Sequence, residues 1–400
     1  MSGIVLSASV RQNLLSLQST AALLATTQND LATGKKVNSA LDNPTNFFTA
    51  QGLDNRANDI SNLLDAIGNG VQVLQAANTG LTSLQQLVDS AKSIANQVLQ
   101  APTGYSTLAS ATATVGAVGS ATDLTTGGTT SLQGKTVTFT PATGPALTLT
   151  FSNVIGAGNV NSLDALNSAL ATAGIGIVGS ISSTGFLTFT SSNDAASQTI
   201  TTTGTAAPNS VSITGTTAAA GVVAPIADTA SQTTRANLVA QYNNIIAQIT
   251  TTSQDSSFNG INLLNGDTLK LIFDETGKST LNITGVTYSA AGLGLSSLTA
   301  GTNFLDSNSA NAVLTQLDNA SNSLRSEASA LGSNLSVVQV RQDFNKNLIN
   351  VLQTGSSNLT LADPNEEAAN SQALSTRQSI AVSALALANQ SQQSVLQLLR

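Results

Sequence analysis

Apolar residues recur at heptad spacing near the beginning of this chain, with steps of three or four residues and one step of seven across Gln28. The positions concerned are Val10, Leu14, Leu17, Ala21, Leu24 and Leu31. A stripe with this spacing is typical of a helix that packs along a partner helix. The pattern therefore predicts a helix close to the N-terminus that needs a second helix to cover it.

A longer stripe follows and keeps one register from Ile60 to Leu99. It predicts about forty residues of helix, which is roughly 60 Å at 1.5 Å per residue. Gly68, Gly70 and Gly80 lie inside it, and each weakens a helix by about 1 kcal/mol relative to alanine. Packing against other elements must offset that cost.

The C-terminal third repeats the pattern in two segments. A stripe without proline runs from Val313 to Leu348, and Pro364 then breaks it. Glu366 and Glu367 follow the break, where acidic residues favour the start of a helix. The last predicted helix places Ile380, Ala384, Leu387 and Leu398 on one heptad frame.

The middle of the chain, residues 103–230, is rich in Thr, Ser, Gly and Ala. Alternating apolar positions predict short strands here and one short helix that ends at Gly174. A further alternation predicts a β-hairpin over residues 269–283, outside this middle region. The patterns together predict a mainly helical chain in which helix-forming ends flank a β-rich middle.

Composition excludes several classes of function. The 400 residues include no Cys and no His, only 9% are charged, and the formal net charge is −7. Thiolate and imidazole catalysis and the usual zinc, copper or haem ligands are therefore missing. We expect no enzyme activity, no cofactor, no nucleic-acid partner and no membrane insertion.

The segment LATGKKVNSALDNP, residues 31–44, is predicted to join two helices. Gly34 suits the end of the first helix, Asn38 and Asp42 belong to a turn-rich stretch, and Pro44 favours an extended approach to the next helix. A phosphate-binding loop is disfavoured, because the remote glycine of that motif is missing.

Three segments resemble bacterial flagellin. They are LATGKKVNSALDNP, FNGINLLNG at residues 258–266, and ALALANQSQQSVLQLLR at the C-terminus. The resemblance covers roughly residues 1–100 and 235–400, and the order of the segments makes it specific.

The resemblance implies a mainly α fold, a long antiparallel helical coiled-coil rod formed by both chain ends, with a β-hairpin and an inserted β-rich (α+β) outer domain. It also implies three domains. Residues 1–40 and 363–400 would form a terminal coiled-coil polymerisation domain, residues 41–102 and 231–362 a helical rod with the hairpin, and residues 103–230 a surface-exposed insert. It also implies a structural subunit that polymerises into the extracellular flagellar filament used for motility. The implied partners are further copies of the chain, the flagellar export apparatus and a chaperone, and the hook-junction and filament-cap proteins.

Two departures from the family pattern matter. Leu6-Ser7-Ala8 stands where many flagellins have Asn-Thr-Asn, and Pro44 after Asp42-Asn43 is typical of hook–filament junction proteins, which keeps such a protein as the alternative. Many flagellins also carry an Arg- and Glu-containing patch that a host Toll-like receptor recognises. Ser90 and Ser93 stand at those positions here, with Lys92 between them, which predicts weak stimulation of that receptor.

Overall fold

The computed structural model describes residues 8–112, 118–128, 132–141, 145–154, 156–200, 210–213 and 222–398. Leu6 and Ser7, part of one predicted departure, lie outside the described residues. The structure is mainly helical. Its helices are α1 (Ala8–Thr33), α2 (Pro44–Gln100), α3 (Leu163–Thr172), α4 (Thr229–Asp255), α5 (Ser307–Thr360) and α6 (Pro364–Leu398).

The strands are concentrated between α2 and α4, as the sequence predicts. They are β1 (Tyr105–Thr107), β2 (Ser110–Thr112), β3 (Val118–Ser120), β4 (Asp123–Gly128), β5 (Thr136–Thr140), β6 (Leu147–Phe151), β7 (Asn159–Val160), β8 (Ile177–Ile181), β9 (Leu187–Ser191), β10 (Ser210–Ile213), β11 (Val222–Val223) and β12 (Ile226–Ala227). The predicted hairpin is formed by β13 (Thr268–Ile272) and β14 (Thr280–Thr284).

Two four-stranded sheets make up most of the insert. One has the strand order β10-β5-β6-β7 and the other β11-β2-β9-β8, while β3 pairs with β4 and β1 with β12. Phe139 and Phe189, one from each sheet, meet edge to face at 5.2 Å. Helix α3 buries Leu166 and Leu170 in the same apolar core. It begins at the N-cap Ser162 and is followed by Gly174, where φ is 67°.

The chain divides into two compact units. The first contains the residues up to Val71, Lys270–Asn282 and the residues from Leu335 onward. The second contains Gln72–Leu269 and Ile283–Asn334, and includes the insert. The three-domain division drawn from the flagellin resemblance stays a prediction.

The predicted stripe of α2 lies on the buried side of that helix at every seventh residue. Ile60 and Ile67 are buried in the first unit, and Leu74, Leu81, Val88 and Ala95 in the second. In the first unit, α2 meets α5 where Ala57 and Ile60 contact Leu352. In the second unit, Lys92 Nζ lies 2.7 Å from Asp318 Oδ1 of α5, and Gln85 Nε2 donates to Ser321 Oγ at 2.8 Å.

The segment FNGINLLNG closes the end of α4. The side-chain amide of Asn262 donates to the carbonyls of Ser253 and Gln254, both at 2.8 Å, and its Oδ1 accepts from the Leu264 N–H at 2.9 Å. These bonds satisfy carbonyls that the helix end leaves without partners. Leu263 and Leu264 are consequently held in buried positions.

The hairpin is attached to α2 and α5 within the first unit. Glu275 Oε1 lies 2.6 Å from Arg56 Nε, and the Asn345 side chain donates to the Phe273 carbonyl at 3.0 Å. Arg341 lies over the Phe273 ring at 5.8 Å from its centroid. Gly70 leaves room for Leu271, because a Cβ there would come within 2.3 Å of that side chain.

The glycines of α2 generate a paired prediction. A Cβ at Gly80 would lie 2.7 Å from Ser256 Cβ and 2.6 Å from Leu264 Cδ1, whereas a Cβ at Gly68 would meet no atom within 4 Å. We expect Gly80→Ala to lower the free energy of unfolding by about 1–3 kcal/mol through overpacking. Gly68→Ala should instead raise it by up to about 1 kcal/mol through helix propensity. Chemical denaturation followed by circular dichroism measures both, and equal effects would contradict the packing account.

Candidate functional site

Helices α1 and α6 pack along each other in the first unit. On α1, the side chains with reduced exposure recur every three or four residues, as expected for a coiled-coil seam. They are Val10, Asn13, Leu17, Thr20, Leu24 and Thr27. The seam therefore alternates predicted apolar residues with short polar ones.

The seam on α6 also has heptad spacing, but it lies one residue further along than the predicted face. Its half-buried members are Glu367, Ser371, Leu374, Gln378, Ala381, Leu385 and Ala388. The predicted Ile380, Ala384 and Leu387 are exposed, so they do not form the contact with α1. The physical reason is that small and large apolar residues occur in both heptad frames, since the seam includes Leu385 beside Ala381 while Ala384 and Leu387 lie outside it. Heptad spacing alone therefore does not determine which frame faces α1. Leu398 ends the described part of α6, and its side chain lies outside the described residues.

Large apolar side chains therefore cover the outer sides of this helix pair. Leu387 is 71% exposed and Leu15 is 67% exposed. Of the predicted α1 residues, Leu14 is 36% and Leu31 is 41% exposed, and Ala21 is exposed as well. The sequence analysis missed Leu15, Leu23 and Val382, because they fall outside the heptad frames.

The apolar side chains of the helix pair stand among uncharged residues. Residues 12–29 of α1 and 378–398 of α6 include no Asp, Glu, Lys or Arg. Interface centres in proteins are depleted of charge because buried ions lose hydration. The outer sides of α1 and α6 therefore have the chemistry of a surface that can be buried.

The joint between α1 and α2 is tied to the joint between α5 and α6. Thr360 accepts backbone hydrogen bonds from the N–H groups of Lys36 at 2.8 Å and Val37 at 3.3 Å. The Ala362 N–H donates to the Gly34 carbonyl at 3.0 Å. Gly34 has φ 69°, a left-handed conformation that glycine adopts without steric cost. The start of α2 and the end of α5 are therefore held next to each other, and α1 and α6 extend from the same place.

Asp42 organises the turn inside the first joint. Its Oδ2 accepts from the N–H groups of Asn38 at 2.9 Å and Ser39 at 2.8 Å. The Asn38 amide in turn donates to Asp30 Oδ1 at 3.1 Å. The next helix begins at Pro44 after Asn43, whose Oδ1 accepts from the Asn46 N–H at 3.0 Å. The predicted joint residues Gly34, Asn38, Asp42 and Pro44 therefore all lie in one connected turn.

The outer face of α5 carries a second apolar stripe in the first unit. Val337 and Val340 lie on it with Phe344 and Val351, at intervals of three, four and seven residues. All four are exposed, and Val340 and Val351 are each 66% exposed. Phe344 belongs to the predicted α5 stripe, but it points outward while its neighbour Val338 is buried.

The predicted receptor patch lies on α2 in the second unit. Ser90 and Ser93 are exposed, and the Ser90 hydroxyl donates to the Gln86 carbonyl at 2.8 Å. Lys92 is half-buried by its ion pair with Asp318. The patch is thus a surface of hydroxyls beside one neutralised cation.

Within the described ranges, no group of three or more acidic side chains is placed to hold a metal ion. Nor does any helix in the described part of the chain have the length and apolarity needed to cross a membrane.

Comparison with known families agrees with this geometry at both ends of the chain. Residues 5–136 match the bacterial flagellin N-terminal helical region, and residues 314–399 match the bacterial flagellin C-terminal helical region. Together the two matches span more than half of the chain.

Individual flagellins are similar over shorter stretches. Flagellin FljM of Caulobacter vibrioides is 32% identical over 175 residues, which is 43% of this chain and 63% of that protein. Flagellin FljO of the same organism is 30% identical over 175 residues, again 43% of this chain and 63% of that protein. Flagellin A of Rhizobium meliloti is 37% identical over 89 residues, 22% of this chain and 23% of that protein. The matches thus span less than two thirds of the length of these relatives.

The joint generates a prediction about pH. Hydrogen bonds from the Ser39 and Asn38 backbone N–H groups lower the pKa of Asp42 below its usual 3.8. A lowered folded pKa means that the carboxylate stabilises the turn fully above pH 3.8, and that this is lost as pH falls through the lower folded value. We expect the protection factor of the Ser39 amide, which is its exchange rate corrected for the intrinsic effect of pH, to be constant above pH 3.8. It should fall as pH drops through the lower folded pKa of Asp42, and NMR measures this. Asp42→Asn should remove this pH dependence, and an unchanged profile in that variant would contradict the assignment.

Proposed function

We propose, since the chain belongs to the bacterial flagellin family, that it polymerises into the helical filament of the bacterial flagellum and serves motility. The observation that carries the proposal is that residues 12–29 of α1 and 378–398 of α6 carry no charge, while Leu15, Leu23 and Leu387 are exposed there. Apolar side chains exposed in such number mark an interaction surface. Further copies of the chain are the partner that family membership supports.

The predicted polymerisation residues divide into two roles under this proposal. Val10, Leu17 and Leu24 hold α1 against α6 within one chain. Leu14, Leu31, Ile380, Ala384 and Leu387 remain exposed and are available to neighbouring copies. Contacts between different surfaces of successive copies generate an open helical polymer when the rotation from one copy to the next does not close a ring, which is the arrangement we propose here. The outer stripe of α5 around Phe344 is a second surface that neighbouring copies would cover.

The flagellin family is a family of structural proteins, and we propose no enzyme activity for this chain. We propose that it is exported through the flagellar apparatus with a chaperone, and that hook-junction and cap proteins flank the polymer. The hook–filament junction alternative is not favoured, because the matched relatives are named flagellins.

Polymerisation can be tested with full-length variants. Leu23→Gln and Leu387→Gln each replace an outward side chain without touching the α1–α6 seam. Burial of a leucine stabilises a contact by about 1.5–3 kcal/mol, so each change should raise the critical concentration for seeded polymerisation about tenfold or more. Electron microscopy and sedimentation measure this.

Val154→Gln is the matched control, because Val154 is 68% exposed but belongs to the insert. It should polymerise like the parent. Unchanged critical concentrations for Leu23→Gln and Leu387→Gln, with unchanged helix content, would refute the proposed surface.

We also propose that the chain stimulates the host Toll-like receptor weakly. Ser90 and Ser93 offer neither the arginine nor the glutamate of the usual patch, and Asp318 neutralises Lys92. We expect a reporter-cell response well below that of a stimulatory flagellin, and a rise when Ser90→Arg and Ser93→Glu are combined. A response from the parent chain equal to that of a stimulatory flagellin would refute the proposal.

A further inference from the structure

Among the described residues, hydrogen bonds join the insert to the helices of the second unit at two places. The first is its neck, where entering strand β1 pairs antiparallel with departing strand β12. The Gly104 carbonyl accepts from the Asp228 N–H at 2.9 Å and from the Gln232 side chain at 2.7 Å. A Cβ at Gly104 would come within 2.4 Å of Gln232 and 2.9 Å of the Leu305 carbonyl, so the neck is tightly enclosed.

The second attachment is one carboxylate. Asp306 is buried and precedes α5, where its Oδ1 accepts from the Ser309 N–H at 3.0 Å as a helix cap. Its other oxygen, Oδ2, accepts from the Ser197 hydroxyl at 2.6 Å and from the Ser197 N–H at 3.4 Å. Ser197 lies between Ala196 and Ile200, which are both buried in the insert. Asp306 therefore bonds the insert on one side and α5 on the other.

Arg235 of α4 connects these two places. It is 3% exposed. Its guanidinium donates to the Pro102 carbonyl at 3.0 Å and to the Phe304 carbonyl at 3.0 Å. Pro102 stands two residues before Gly104 in the neck, and Phe304 stands two residues before Asp306. The planar guanidinium donates in fixed directions, so it sets the distance between the two attachments.

A body attached at one narrow neck can pivot about it, whereas a second attachment at a fixed distance removes that freedom. We infer that Arg235, Asp306 and Ser197 form an orientation lock that holds the insert at one angle on α4 and α5. The lock acts within a single chain and does not depend on polymerisation. Arg235 and Asp306 are positioning residues in this arrangement.

The electrostatic setting agrees with a structural role. Burial lowers the pKa of Arg235, and the nearby Asp306 carboxylate acts in the opposite direction. The guanidinium also lies at the end of α2, where unpaired carbonyls favour a cation. Of the carbonyls that accept from Arg235, those of Ala101 and Pro102 follow directly after the C-terminal end of α2.

The lock can be tested by measuring the mobility of the insert. The chain has no cysteine, so Ser183→Cys in the insert and Asn322→Cys on α5, both exposed, accept spin labels selectively. Pulsed electron paramagnetic resonance then gives the distribution of distances between them. We expect one narrow distribution in the labelled parent. Asp306→Asn should at least double the width of this distribution. Its amide oxygen can still cap α5, but the amide nitrogen that replaces Oδ2 cannot accept the two hydrogen bonds from Ser197.

Asp318→Asn is the matched control, since it makes the same chemical change on the exposed surface of α5, and it should leave the width unchanged. Ser197→Ala removes the hydroxyl bond without touching any helix cap, and should broaden the distribution even where Asp306→Asn folds poorly. Amide protection of β8 and β9 should stay as in the parent, which separates a released insert from an unfolded one. A parental width in both lock variants, or equal broadening in the Asp318 control, would overturn the inference.

Discussion

The pairing of α1 with α6 is the contact on which the proposed assembly depends. It joins the two ends of the chain, and the backbone bonds from Lys36 and Val37 to Thr360 continue it through the joint. The seam is thin, since Asn13, Thr20 and Thr27 alternate with its apolar residues. A thin seam leaves larger side chains such as Leu15 and Leu387 outside, and that surplus is what a neighbouring copy can bury.

The sequence predicted the helices, the hairpin and the joint, because each has a local signal. Heptad spacing identifies a helix without knowledge of its partner, and Gly34 and Pro44 mark where helices end and begin. The rotation of α6 was not predictable in the same way. Ala, Ser and Leu occupy every side of that helix, so heptad frames one residue apart have similar apolar content. The structure shows which of the two frames faces α1, namely the one that contains Ala381 and Ala388.

The pairing of strands in the insert was also not predictable from local sequence patterns. Strand β2 pairs with β9, whose residues follow 76 to 80 positions later, and such register depends on partners that alternation alone does not identify. The same limit applies to FNGINLLNG. The sequence placed this segment before the hairpin, but only the structure shows that the Asn262 amide closes α4.

The scarcity of charge gives these observations a common cause. A chain with 9% charged residues has few ions to place, and the structure puts several at joints between elements. The Asp42 carboxylate accepts hydrogen bonds in the turn between α1 and α2. The Arg235 guanidinium donates to carbonyls beside the neck. The Asp306 carboxylate accepts hydrogen bonds from both the insert and α5. Each of these ions satisfies backbone groups that a change of chain direction leaves unpaired. Residues 12–29 of α1 and 378–398 of α6 carry no charge, so their burial in the proposed polymer would not require desolvation of ions.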